Sequence, residues 1–195
     1  MNIFQSIRLR FFRKKLLQAL ADQRRSRQIH TIWSARSVSI LFDATPEADR
    51  REVLDFARAL EKDGRKVRLL AYWHDKKSPL ETVSFDSFNR KNTTWLGLSK
   101  TEKAENFARE KTDLLLLFDC AGRLPLEWIA ARSQASMKIG PLTENPNDFD
   151  IMLETPPGSD VRFFLQQLDI YLDKIMLPDA TAPSSNFKRQ SPIAR

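Results

Sequence analysis

Residues 37–73, SVSILFDATPEADRREVLDFARALEKDGRKVRLLAYW, decide the fold. The segment opens on Ser37–Asp43, a short β-branched and apolar run with the pattern of a buried strand. Thr45-Pro46-Glu47 then reads as a helix start: a capping hydroxyl, proline at the first helical position and an acid in the first turn. The helix is expected to run to Asp63, with Gly64 as its stop. Residues 66–73, KVRLLAYW, form a second strand. Strand, helix and strand at this spacing make a βαβ unit, so the two strands should pair in parallel.

The pattern continues downstream. Residues 82–85 suggest a short strand, and 92–98 an irregular or edge element. Residues 100–111 read as a polar helix making its contacts through Ala104, Phe107 and Ala108. Residues 112–119, TDLLLLFD, are the most apolar run and predict a central strand buried on both faces. A helix over 125–133 follows, then strands at 137–139 and 150–153. The last element is an amphipathic helix over 160–175, with Val161, Phe164, Leu165, Leu168 and Leu172 inward. This alternation predicts an α/β domain: a mostly parallel, Rossmann-like sheet with helices on both faces.

Charge divides the chain differently. Residues 1–36 hold nine Lys or Arg against the single acid Asp22, whereas residues 37–175 hold 20 basic and 23 acidic side chains. A slightly acidic body therefore carries a basic arm, the distribution expected of an anionic partner. The expected organisation is an arm over 1–36, an α/β domain over 37–177 and a flexible basic tail over 178–195. Residues 2–28 contain neither Gly nor Pro and read as one helix. Its apolar positions form two stripes. Phe4, Ile7 and Phe11 share one face, while Leu9, Phe12, Leu16 and Leu20 lie roughly 140° away at the helical repeat. Such a helix is suited to touch two surfaces, its own body and a partner.

Composition excludes several classes. The single cysteine, Cys120, allows no intramolecular disulfide and suits a reducing compartment. Charges at Arg8, Arg10, Arg13, Lys14 and Lys15 interrupt any signal-peptide apolar core, and no apolar run approaches the ~20 residues of a membrane span. The expected location is cytoplasmic, either free or peripheral to a membrane. Only five glycines occur, and neither GxGxxG, GxxxxGK[ST], HExxH, CxxC nor GxSxG is present. No cofactor or metal is implied.

Two sets of residues remain as candidate sites. Ile40–Ala44 and 116–120 both end a strand with Phe-Asp and a small residue, with proline soon after. On neighbouring strands, Asp43 and Asp119 would face each other where doubly wound sheets bind ligands. Paired carboxylates there suit Mg²⁺ or acid–base work, or they cap their own loops. Cys120, near a helix N-terminus, is a conceivable nucleophile if its thiol pKa is lowered, with His74 as the base within reach of the same edge, but such a cysteine is more often a small buried hydrophobe. The second set is the arm: Arg8, Arg10, Arg13, Lys14, Lys15, Arg24, Arg25 and Arg27, which suit RNA phosphates or an anionic membrane surface.

The strands at 37–43 and 112–119 and the segment SQASMKIG at 133–140 resemble an uncharacterised Bacteroidota family classed as a domain of unknown function. Its Ser-x-Ala-x-x-Lys-x-Gly pattern is carried here by Ser133, Ala135, Lys138 and Gly140. The resemblance implies the basic N-terminal helix and the strands, and brings no activity with it. A looser likeness is to the N-terminal half of GT-B glycosyltransferases, whose nucleotide-sugar is held mainly by a second half. The sequence thus favours a non-enzymatic binding protein whose arm engages RNA or the ribosome. Membrane attachment by the same helix is the alternative, and a small enzyme using Asp43, Asp119, Cys120 and His74 is the third class. Oligomeric state is open.

Overall fold

The computed structural model describes residues 3–76 and 83–174. Six strands form one sheet: β1 (Ser37–Asp43), β2 (Lys66–Trp73), β3 (Asp86–Asn89), β4 (Leu114–Phe118), β5 (Met137–Pro141) and β6 (Ile151–Leu153). The order is β3-β2-β1-β4-β5-β6, and every neighbouring pair is parallel. This is the doubly wound order in which the chain returns to β1 and then winds outward on its other side.

Among the described residues five α-helices accompany the sheet: α1 (Ile3–Ala21), α2 (Glu47–Lys62), α3 (Glu102–Arg109), α4 (Leu124–Arg132) and α5 (Val161–Lys174). Side-chain alternation along the central strands divides the core into two layers. Val38, Ile40 and Phe42 of β1 and Leu114, Leu116 and Phe118 of β4 face one way, against Val53, Ala57 and Leu60 of α2 and Phe164, Leu165 and Leu168 of α5. Leu41, Leu115 and Leu117 face the other way, against Phe107 of α3 and Leu126 and Ile129 of α4. All five residues of β4 are buried, as the run TDLLLLFD requires of a strand covered on both faces.

Several boundaries differ from expectation. Thr45 does not cap α2: Pro46 is the N-cap, and the Thr45 hydroxyl donates to Asp43 Oδ1 at 2.5 Å. The strand placed at 82–85 lies instead at Asp86–Asn89, and Thr82 falls outside the described residues, as does the tail from 178. The N-terminal helix stops at Ala21 rather than near residue 28. Beyond Ala21 the backbone leaves helical geometry for tertiary partners, including Gln28 N–H donating to Ser136 O at 3.2 Å. Helical propensity is a weak preference that such contacts override.

The two stripes of α1 separate as their spacing demands. Phe12 and Leu16 are fully buried against Ala131 of α4, with Leu9, Leu20, Leu98, Leu124 and Trp128 around them. Phe4 is 80% exposed and Phe11 52% exposed on the outer side. Phe12→Ala should therefore lower the unfolding free energy in urea by about 3 kcal/mol, and Phe11→Ala by no more than about 1 kcal/mol. Equal losses from the two variants would contradict this orientation of α1.

Candidate functional site

β1 and β4 are neighbours, with Phe42 opposite Phe118, so their carboxyl ends flank the point where strand order reverses. Asp43 and Asp119 stand there as expected, but Arg123 lies between them. Its Nε donates to Asp43 Oδ2 at 2.7 Å and its backbone N–H to Asp119 Oδ2 at 2.5 Å. Asp43 Oδ1 also accepts from the Thr45 N–H at 3.0 Å, and Asp119 Oδ1 from the Ala121 N–H at 3.1 Å. Every oxygen of the pair has a donor, and most of these bonds tie the two strand-to-helix loops. The arrangement builds a rigid sheet edge. Among the described residues, no group of three or more His, Cys, Asp or Glu is placed to hold a metal ion.

Burial drives the Asp119 carboxyl up to about 7, with the nearby Asp43 charge adding to the rise and the Arg123 and Ala121 N–H groups opposing it. Cys120 sits among acids. Burial, then the surrounding Asp49, Asp119, Asp160 and Asp43 charges, push its thiol up to about 12, so it stays protonated at neutral pH. The helix N-terminus is outweighed by four carboxylates. His74 follows β2, whereas Cys120 follows β4, with β1 between those strands. At the usual strand spacing their parent strands are roughly 10 Å apart, and among the described residues no hydrogen bond joins the two side chains. His74 instead places Nδ1 3.5 Å from the Tyr72 hydroxyl.

The arm residues divide into different roles. Arg25 is sequestered: it donates to Asp148 Oδ2 and Asp150 Oδ1, each at 2.9 Å, and to Ser136 O at 2.8 Å. Arg13 donates to Asn145 Oδ1 at 2.8 Å, and Arg27 lies 3.8 Å from Asp150. Arg10, Lys14, Lys15 and Arg24 are exposed, and Arg8 is half-buried against the sheet edge. Three of the eight cations thus engage the loop before β6 or the start of that strand's lead-in.

That loop also holds a buried lysine of the neighbouring strand. Lys138 of β5 is completely buried, and its Nζ donates to Ala130 O at 2.8 Å and to both Asp148 oxygens at 2.9 Å. Burial lowers its pKa to about 8 against the opposing pull of Asp148. The Asp150 carboxylate accepts from the Lys138 N–H at 2.8 Å, closing the link between Lys138, Asp148, Asp150 and Arg25. The rest of the Ser-x-Ala-x-x-Lys-x-Gly pattern serves the same place. The Ser133 hydroxyl accepts from the Ala135 N–H, Ser133 O accepts from Gln23, and a Cβ on Gly140 would stand 2.6 Å from the Phe149 ring. A lysine between Met137 and Ile139 in an apolar strand was the available signal.

Arg25→Met should lower the unfolding free energy by about 1–2 kcal/mol, because the buried guanidinium's hydrogen bonds to Asp148, Asp150 and Ser136 O are lost together and the half-buried Asp148 and the Ser136 carbonyl lose a donor. Unchanged stability would contradict the assigned role. Asp119 gives a pH signature. Its folded pKa of about 7 exceeds the ordinary 3.8, so the folded state binds more protons between those values and this group's contribution falls as pH rises through them. Asp119→Asn should remove that component, leaving unfolding free energy less steeply falling between these pH values than in the parent chain. Parallel curves would contradict the shift.

A search of curated proteins finds no match. A protein-family model described as "Family of unknown function (DUF6913)" matches residues 9–175, from within α1 to just beyond α5. The chain belongs to the DUF6913 family.

Proposed function

We propose that this chain is a peripheral attachment protein that lies on an anionic lipid surface through the outer face of α1. One observation carries the reading: Ile3, Phe4, Ile7 and Phe11 are all exposed on that face, beside the 65%-exposed Trp95. The Phe11 and Trp95 rings meet edge to face at 6.3 Å, so the patch extends from the helix onto the body. Exposed Arg10, Lys14 and Lys15 interleave with it. Apolar side chains at the level of the acyl boundary, fringed by cations, are what an in-plane helix offers. Each cation near an anionic surface contributes about 1 kcal/mol.

The split of apolar positions at first favours RNA over lipid. With Phe12 and Leu16 consumed by α4, Ile3, Phe4, Ile7 and Phe11 remain as one continuous outer stripe, with Leu17 exposed apart from it, and this reverses the preference. Ile3 and Ile7 suit lipid and have no ring to stack on a base. RNA or the ribosome is the second reading, supported by Phe4, Phe11 and Trp95 as stacking surfaces among cations. No helix among the described residues is long and apolar enough to cross a membrane.

Sedimentation with phosphatidylcholine vesicles, with and without phosphatidylserine, tests the proposal. Binding should require phosphatidylserine, weaken with salt, and fall about tenfold or more in the double variant Phe4→Ser, Phe11→Ser. Binding that ignores phosphatidylserine, or survives the double substitution, would contradict it. Salt-dependent capture of RNA without vesicle binding would favour the second reading.

A further inference from the structure

The carboxyl edge of the sheet carries a second group of charges. Trp73 pairs with Asn89 across β2 and β3, so His74 and Arg90 leave the sheet side by side. Tyr72 pairs with Asp43, whose carboxylate holds Arg123. Arg8 reaches the same corner from α1. Its Nη2 would lie 3.4 Å from a Cβ placed on Gly97, and that Cβ would lie 3.1 Å from Cβ of Leu124, the residue after Arg123. Gly97 has φ +95°, so the turn that admits Arg8 suits glycine on conformational grounds as well. The charges of Arg123, Arg90 and Arg8 all act on both Tyr72 and His74.

These cations are incompletely satisfied. Among the described residues no carboxylate forms an ion pair with Arg8 or Arg90. Arg8 Nε is buried without an acceptor, which costs the full desolvation of that N–H. We propose that Arg8, Arg90 and Arg123, with the Tyr72 hydroxyl and the His74 imidazole, bind the phosphate of a small phosphorylated ligand at the carboxyl ends of β1, β2 and β3. Arg123 is the one of the three guanidinium groups held by a carboxylate, that of Asp43, which leaves Arg8 and Arg90 to favour an anion such as a phosphomonoester. Guanidinium forks match phosphate oxygens in geometry as well as charge. The phosphate arrives on a soluble molecule or on a lipid headgroup, and the site is independent of the outer apolar face of α1.

The full chain is titrated calorimetrically with inorganic phosphate, with glycerol phosphate, and with phosphatidylcholine vesicles containing phosphatidic acid. Arg90 is exposed, so Arg90→Gln should fold normally and bind about tenfold more weakly, as should Arg8→Gln, whereas Arg24→Gln should bind as the parent does. The double variant Phe4→Ser, Phe11→Ser should keep its affinity for the soluble phosphates, which separates this site from membrane attachment. Arg90-dependent binding of the soluble phosphates assigns a soluble ligand, and Arg90-dependent binding seen only on vesicles assigns a headgroup. No Arg90-dependent binding in any arm would overturn the site.

Discussion

Lys138 is a cation with no exposed surface, and much of the chain around it is arranged to make that position tolerable. An unpaired buried ammonium group is expensive, and even a paired one repays its desolvation only when its hydrogen bonds are filled. Here Asp148 and the last turn of α4 fill them, Asp150 holds the neighbouring backbone N–H, and Arg25 balances the two carboxylates from outside the sheet. The link joins β5, the loop before β6 and the arm. It fixes where the arm crosses the body, and so which face of α1 meets α4.

α1 is accordingly an integral layer of the molecule with a second, outward surface. Its inner stripe packs as ordinary core, and its outer stripe keeps large apolar side chains among cations. The charge asymmetry of the chain is partly internal: Arg25 and Arg13 answer acids and amides of the loop over 144–150, and Arg8 turns to the sheet edge. Arg10, Lys14, Lys15 and Arg24 remain directed outward. Fewer cations face outward than composition suggests, and Arg10, Lys14 and Lys15 flank the exposed rings of α1.

Much of the fold was legible because strands and helices in an α/β domain differ in period and are separated by Gly and Pro. TDLLLLFD had to be central, since no amphipathic strand is apolar at successive positions. The echo of Asp43 in Asp119 correctly located the switch point, because a doubly wound sheet brings the ends of those two strands together. Arg123 was not legible, because a long side chain reaching across a loop leaves no periodic trace. The end of α1 was missed for a related reason: residues 22–28 have helical composition, but the Gln23 and Arg25 side chains and the Gln28 N–H find tertiary partners. The environment of Cys120 was not legible, because its thiol is pushed up by burial and then by carboxylates such as Asp49 and Asp160, which only the fold assembles.

The central claim is that the Lys138–Asp148–Asp150–Arg25 link holds the arm, and with it α1, against α4. Amide hydrogen exchange along residues 3–36 tests it most directly, comparing the parent chain with Asp148→Ala. The account predicts slow exchange through the body of α1 in the parent, with protection lost across α1 in the variant while β1 and β4 stay protected. Exchange of α1 at the rate of an isolated peptide in the parent, or α1 protection unchanged in the variant, would contradict it.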